Sequence, residues 1–312
     1  EDVRARLAVL SEIPAEWATT LHRWTERNAR HRARPEAPSL TDELMLYETL
    51  VGAWPERLTE HFETRIARWQ LKAIHEAKLE TSWTDPDPRY EEAAQAFLSA
   101  ILRDHAFTRE VAALVNRIGP AGAINSMAQT LLKLTVPGVP DFYQGTEFWD
   151  LSLVDPDNRR PVDFVARERS LDPDVLPPAL AGTWRDGRVK QAFIAAALRL
   201  RATHPELFDY GEYLPLAVEG AMASHVIAFA RQHKDAGAVI VAPRLPFALL
   251  GDTASTLIPP TRWSDTTVTL PPVLARPARN VMTGEHVMLL QRVPAADLLS
   301  RFPIAALVSE TT

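Results

Sequence analysis

Val136-Pro-Gly-Val-Pro-Asp-Phe-Tyr143 runs directly into Gln144-Gly-Thr-Glu147-Phe-Trp149, and Asp155-Pro-Asp-Asn-Arg-Arg-Pro-Val-Asp163 follows closely. The first run is short, apolar and bounded by proline and glycine, which predicts one buried strand. Such a strand delivers Tyr143, Gln144 and Glu147 at its C-terminal end, where β/α barrels build their sites. Close behind come Phe148, Trp149, Asp150, Asp155, Asp157, Asn158, Arg159, Arg160 and Asp163. Carboxylates, amides and guanidinium groups grip sugar hydroxyls, and flat rings lie against the apolar faces of pyranoses. The mixture therefore points to a carbohydrate ligand. The same residues also suit a surface loop that closes the fold through salt bridges.

Upstream, residues 1–134 read as helices. Pro14 suits a first helical turn, and Trp17, Leu21, Trp24 and Asn28 follow at helical spacing. Arg34-Pro-Glu-Ala-Pro-Ser39 ends that helix, and Thr41 is the expected cap of the next, which carries Leu44, Met45, Tyr47 and Leu50. From Glu56 to Glu80 a stripe of Leu58, Phe62, Ile66, Trp69 and Ala73 predicts a longer helix. Asp85-Pro-Asp-Pro88 breaks the pattern, a helix covers Tyr90 to Arg103, and a last pair spans Arg109–Arg117 and Ala121–Leu134. These stripes read as core. Downstream, Gln144 to Gly182 reads as a long polar loop, a length that is uncommon unless functional or disordered. Helix returns over Val189–Thr203, the rhythm of a barrel unit. Beyond Pro205 the runs Val226–Arg231, Ala238–Ala242, Thr266–Leu270 and Val287–Leu290 alternate with turn material, which predicts an antiparallel β-sandwich. The expected class is α+β in three parts, over 1–134, 135–204 and 205–312.

Composition narrows the function classes. The chain has 312 residues, 46% hydrophobic and 24% charged, with a net charge of −6. The basic stretch Arg23 to Arg34 is broken by Glu26 and apolar residues and reads as a solvated helix face, so no nucleic-acid partner is expected. No apolar run reaches the roughly 20 residues of a membrane span, and Glu1, Asp2, Arg4 and Arg6 lack the apolar core of a signal peptide. There is no cysteine, which removes disulfides, thiolate metal sites and a cysteine nucleophile together. The nine histidines show neither HxxxH nor HExxH spacing, so no catalytic metal is expected. A cytoplasmic setting fits these features.

Pro137 to Glu147 is similar to the eighth-strand signature of the α-amylase clan, a proline-rich strand ending in Tyr-x-Gly-x-Glu. Five further motifs resemble maltooligosyl trehalose synthases. They are Glu1-Asp-Val-Arg-Ala-Arg-Leu7, Leu50-Val-Gly-Ala-Trp-Pro55, Glu76-Ala-Lys-Leu-Glu-Thr-Ser-Trp83, Asn125-Ser-Met-Ala-Gln-Thr-Leu-Leu-Lys-Leu-Thr135 and Leu151 to Asp163. The resemblance covers most of residues 1–245 and is weak beyond.

It implies that 1–134 is a helical subdomain inserted before the last strand of a β/α barrel, 135–204 the eighth strand with its loop and helix, and 205–312 the C-terminal sandwich. It implies isomerisation of the reducing-end α-1,4 bond of a maltooligosaccharide into an α,α-1,1 bond, by a retaining mechanism with two carboxyls about 5 Å apart. Those carboxylates belong to earlier barrel strands, the third in a Thr-His-Asp-Thr-Lys-Arg motif expected just before Glu1. No catalytic residue is therefore expected here, and the N-terminal catalytic portion of the enzyme is the expected protein partner. No cofactor is implied.

The candidate substrate-binding residues are Tyr143, Gln144, Glu147, Trp149, Asp157, Asn158, Arg159, Arg160, Trp83 and Lys72. Arg159 is the leading sugar contact, with an ion pair to Asp157 or Asp163 as its alternative. Glu147 suits a scaffold or substrate-loop role, Trp83 a sugar-stacking or core role, and Lys72 a substrate contact or a pair with Glu76. Two rivals stay open: an α-glucan hydrolase of the same clan, and a non-catalytic glucan-binding protein.

Overall fold

A computed structural model describes residues 1–251 and 253–309, without the side chain at position 60. Two compact units make up the chain: Glu1–Gly119 with Leu151–Pro161, and Pro120–Asp150 with the chain from Val162 onward.

The first unit is helical. Its elements are α1 (Asp2–Ala8), α2 (Pro14–Asn28), α3 (Leu40–Ala53), α4 (Glu60–Ala77), α5 (Pro88–Arg103) and the beginning of α6 (His105–Thr135). Local chemistry sets the starts. Ser39 Oγ accepts from Asp42 N, Thr59 Oγ1 from Phe62 N, and Asp87 Oδ1 from Arg89 N and Tyr90 N, each satisfying helix N–H groups that have no intrahelical partner. The cap of α3 is thus Ser39 rather than Thr41: Ser39 has the extended backbone that a cap needs. In α4 the buried stripe is Phe62, Ile66, Gln70 and Ile74, so it continues through Gln70 and Ile74 and not through Trp69 and Ala73. The centre is aromatic. Trp24 meets Tyr47 and Phe107 edge-on, with ring centroids 5.6 and 5.2 Å apart.

The helix pair expected over Arg109–Leu134 is one helix, α6, which runs 31 residues straight through Gly119-Pro120. An internal proline removes one hydrogen bond and costs on the order of 3 kcal/mol. Here Ile118, Ala121, Ala123, Ile124 and Met127 are buried on both sides of it, and that packing outweighs the local break.

Among the described residues the second unit continues with α7 (Phe164–Ser170), α8 (Arg188–Thr203), α9 (Pro205–Asp209) and nine strands. The strands are β1 (Glu212–Pro215), β2 (Val218–Glu219), β3 (Val226–His233), β4 (Ala236–Pro243), β5 (Thr267–Thr269), β6 (Pro277–Asn280), β7 (His286–Met288), β8 (Arg292–Pro294) and β9 (Ala305–Ser309). They form a six-stranded sheet in the order β1-β3-β4-β9-β6-β7 and a three-stranded sheet in the order β2-β5-β8. Every pairing is antiparallel. The β3–β4 hairpin, from Val226↔Pro243 to His233↔Ala236, is the longest ladder. β4 is buried at every residue from Gly237 to Pro243, and so reads as a continuous apolar run rather than an alternating one.

Two expectations are corrected here. Val136–Tyr143 is not a strand: it leaves α6 as bends and irregular backbone, with Val139 96% exposed. Pro137 and Pro140 donate no backbone hydrogen bond, and a strand exists only where a neighbour completes its ladder. Gln144–Gly182 is not devoid of regular structure either. It contains a 3-10 turn over Asp157–Arg159, α7, and the start of a 3-10 stretch over Pro177–Asp186. Asp163 Oδ1 caps α7 by accepting from Ala166 N at 2.9 Å. Among the described residues no helix is long and apolar enough to cross a membrane.

Candidate functional site

The candidate residues fall into two sets, one in each unit. In the helical unit, α4 presents Arg65 and Lys72 seven positions apart, on one face of the helix. Both hold the Leu151–Pro161 loop. The Arg65 fork donates to Asp157 twice, Nε to Oδ1 and Nη2 to Oδ2, both at 2.8 Å, and Nη2 also reaches Leu151 O at 2.9 Å. Leu153 N adds a third donor to Asp157 Oδ2 at 2.7 Å, and Arg160 Nε lies 3.3 Å from Oδ1. With the Asp157 side chain 9% exposed, its acceptor capacity is filled from inside the unit. Burial opposes its charge, but the Arg65 hydrogen bonds, Leu153 N and the charges of Arg65 and Arg160 prevail and hold its pKa below the usual aspartate value.

Asp157 is therefore the anchor of the loop, and Arg160, bonded to Ser152 Oγ at 2.6 Å and Asp157 O at 3.1 Å, is a second tie. Lys72 Nζ donates to Asp155 O at 2.6 Å, and Glu76 stands farther off at 3.7 Å. The ties leave Arg159 outside. Its side chain is 72% exposed and its ion-pair partner is Asp155, not Asp157 or Asp163. Asn158 Oδ1 is a buried acceptor with no partner among the described residues.

Trp83 is 61% exposed, which excludes the core role. Its ring stands edge-on against His75 with centroids 4.2 Å apart. Beneath it His75 Nε2 and Thr81 Oγ1 both meet Glu91 Oε1 at 2.7 Å. The indole is thus supported from below and open above.

In the second unit, Tyr143 and Gln144 are exposed at the start of a turn closed by Thr146 N and Oγ1 donating to Tyr143 O, at 3.1 and 2.7 Å. Glu147 pairs with Arg167 Nε at 3.2 Å. The same guanidinium donates to Gly145 O at 2.6 Å and Asp163 O at 3.0 Å, and lies 4.7 Å over the Phe148 ring. Trp149 Nε1 donates to Trp184 O at 2.6 Å, and Lys190, 1% exposed, sits 5.5 Å over the Trp149 ring. Gly187, the N-cap of α8, has φ 82°; a Cβ there would meet Phe148 Cβ at 2.9 Å and Trp149 N at 3.0 Å. Only glycine permits this approach.

Arg65, Arg167 and Lys190 escaped the sequence reading. Arg65 carried a usable signal, two helical turns before Lys72 on one face. Arg167 and Lys190 carried none, since their partners lie far off in sequence.

Chemically, Glu147 and Asp157 are held as ion pairs by arginines. The groups turned outward are a guanidinium (Arg159), a phenol (Tyr143), an amide (Gln144) and an indole face (Trp83). Arg159 and Trp83 belong to the first unit, Tyr143 and Gln144 to the second, and each is a group able to hydrogen-bond to or stack on a polar ligand. Among the described residues no group of three or more His, Asp or Glu side chains is placed to hold a metal ion.

No protein-family profile matches the chain. Curated relatives from two strains of Mycobacterium tuberculosis, each named as a maltooligosyl trehalose synthase, are 39% identical over 233 residues, 74% of this chain and 28% of the relative. The solved maltooligosyltrehalose synthase of Arthrobacter ramosus is 35% identical with a TM-score of 0.79, over 99% of this chain and 37% of that one. A hypothetical maltooligosyl trehalose synthase of Sulfolobus tokodaii is 27% identical with a TM-score of 0.75, over 99% and 37%. The chain thus spans under a third of its curated relatives and little more than a third of the solved ones.

Proposed function

We propose that this chain, which resembles maltooligosyl trehalose synthases along nearly its whole length, is the C-terminal portion of such an enzyme. The complete enzyme then converts the reducing-end α-1,4 bond of a maltooligosaccharide into an α,α-1,1 bond by intramolecular transglucosylation, in the cytoplasm. On this reading residues 1–134 are a helical insert, 135–204 the segment, loop and helix that close the barrel, and 205–312 a β-sandwich. The N-terminal portion supplies the catalytic carboxylates.

The observation that carries the reading is the Asp155–Arg160 loop. Arg65, Lys72 and Arg160 tie it down through Asp157 and two backbone carbonyls, while Arg159 is left facing solvent. The tied backbone places Arg159 before any ligand arrives, so that on binding only its side chain remains to be ordered.

Product analysis of the full-length polypeptide with maltopentaose tests the proposal. Loss of reducing ends without matching glucose release is expected. A rise in reducing ends assigns the chain to a glucan hydrolase, and binding without turnover assigns it to a glucan-binding protein.

A further inference from the structure

Arg231 lies on β3, opposite Tyr213 of β1 and Ala238 of β4. It is 1% exposed and no carboxylate hydrogen-bonds to it among the described residues. Instead Nη1 donates to Thr135 O at 3.0 Å, and Nη2 to Phe208 O and Gly211 O at 2.9 and 2.8 Å. Its Nε has no hydrogen-bond partner among the described residues. Burying a guanidinium against carbonyls alone is costly. Burial, and next the charge of Arg201, lower its pKa, with Asp209 acting the other way.

Thr135 is the last residue of α6, where the helix dipole presents partial negative charge and carbonyls without intrahelical partners. A second arginine serves the same end: Arg201 Nη1 donates to Leu134 O at 2.8 Å and Nη2 lies 3.4 Å from Gly138 O. Two guanidinium groups, one from the sheet and one from α8, thereby hold both sides of the point where the chain leaves α6. The next eight residues lead to Tyr143, then Gln144 and Glu147. Among the described residues that lead-in has no ladder of its own, so its direction is set at its origin, by Lys133 lying 4.3 Å over the Phe142 ring, and by the Arg167 contacts at its far end.

We propose that Arg231 is a positioning residue: through the end of α6 it sets the course of the Val136–Trp149 segment, so that the C-terminal sheet governs how Tyr143 and Gln144 meet the ligand. The geometry singles out arginine, because a fork serves three carbonyls at once and a lysine ammonium, a point donor on a flexible stem, does not. The kinetic part of this claim rests on the function proposed above, and the structural part does not.

The test uses the full-length polypeptide carrying Arg231→Lys, with Arg201→Ala as a second variant that removes the α8 half of the clamp without emptying the core. Hydrogen exchange at the Val136 and Thr146 amides, which donate to Leu132 O and Tyr143 O, is expected to quicken on the order of 10-fold in each, with β3 and β4 amides unchanged. KM for maltopentaose should rise about 10-fold with kcat within about 3-fold, the signature of a misplaced binding segment. Unchanged exchange at Val136 and Thr146 in both variants overturns the proposal, as does faster exchange spread evenly through the sheet. If Arg231→Lys does not fold, Arg201→Ala decides on the same readings. If the parent enzyme leaves maltopentaose untouched, the function is wrong while the exchange result still judges the positioning.

Discussion

Arg159 and Asp157 stand two residues apart and do opposite work. Arg159 faces solvent with only Asp155 beside it, both side chains well exposed. Such a pair contributes at most about 1 kcal/mol to stability. Arg159→Ala in the full-length enzyme is therefore expected to leave the thermal melt in place while lowering kcat/KM for maltopentaose about 10- to 1000-fold, or about 1.4 to 4 kcal/mol of transition-state binding. Unchanged kinetics would remove Arg159 from the substrate site. Asp157 and Asp163, the ion-pair partners expected from the sequence, are both otherwise engaged, by Arg65 and as the cap of α7.

Asp157 carries the converse prediction. Removing one partner of a buried pair strands the other, so Arg65→Met should destabilise the helical unit by about 3 kcal/mol, read as a lowered denaturation midpoint. The pH dependence follows from the direction of the shift. Asp157 has a folded pKa below its unfolded value of about 3.9. The pair therefore stabilises fully above that value and loses its contribution as pH falls through the lower, folded one. The stability gap between parent and Arg65→Met should narrow over that acid window, down to what the Arg65 bond to Leu151 O contributes. A gap that does not narrow would show that the carboxylate is not the group stabilised.

At the scale of elements, helical character and the main β runs were legible because 3.6-residue periodicity and apolar runs are local properties. The turn into α8 shows where local signals end. Trp184-Arg-Asp-Gly187 reads as capping material, and Gly187 is the cap, yet its positive φ also lets the Phe148–Trp149 backbone approach. Gly187→Ala should therefore act twice, through strain and through that clash, costing about 1–3 kcal/mol in a thermal melt. It should also shift the fluorescence of Trp149 and Trp184, whose rings are 6.2 Å apart. An unchanged spectrum with a lowered melt would confine the effect to backbone strain.

For the whole molecule, the share of the relatives that this chain spans sets the expectation. The isolated 312-residue chain should neither form non-reducing ends on maltopentaose nor hydrolyse it, and mixing it with the N-terminal remainder should restore turnover. Transglucosylation by the chain alone would require catalytic carboxylates within it, and Glu147 freed from Arg167 would be the first to examine.

The amino-acid order by itself determined the helical character of 1–134, the antiparallel β character beyond residue 205, and the polar, aromatic and arginine-bearing stretch between them. Each depends on neighbours a few residues apart. It also carried the likeness to trehalose-forming enzymes, through motifs readable without any contact. Tertiary structure alone decided which of those polar groups face inward. Arg65 meets Asp157 across 92 positions, Arg231 meets Thr135 across 96, and Arg167 meets Glu147 across 20. No periodicity encodes such distances. It decided also that α6 passes through Pro120 and that Val136–Tyr143 is not a strand. Packing on both sides outweighed one missing hydrogen bond in the first case, and in the second an apolar run had no neighbouring strand to complete its ladder.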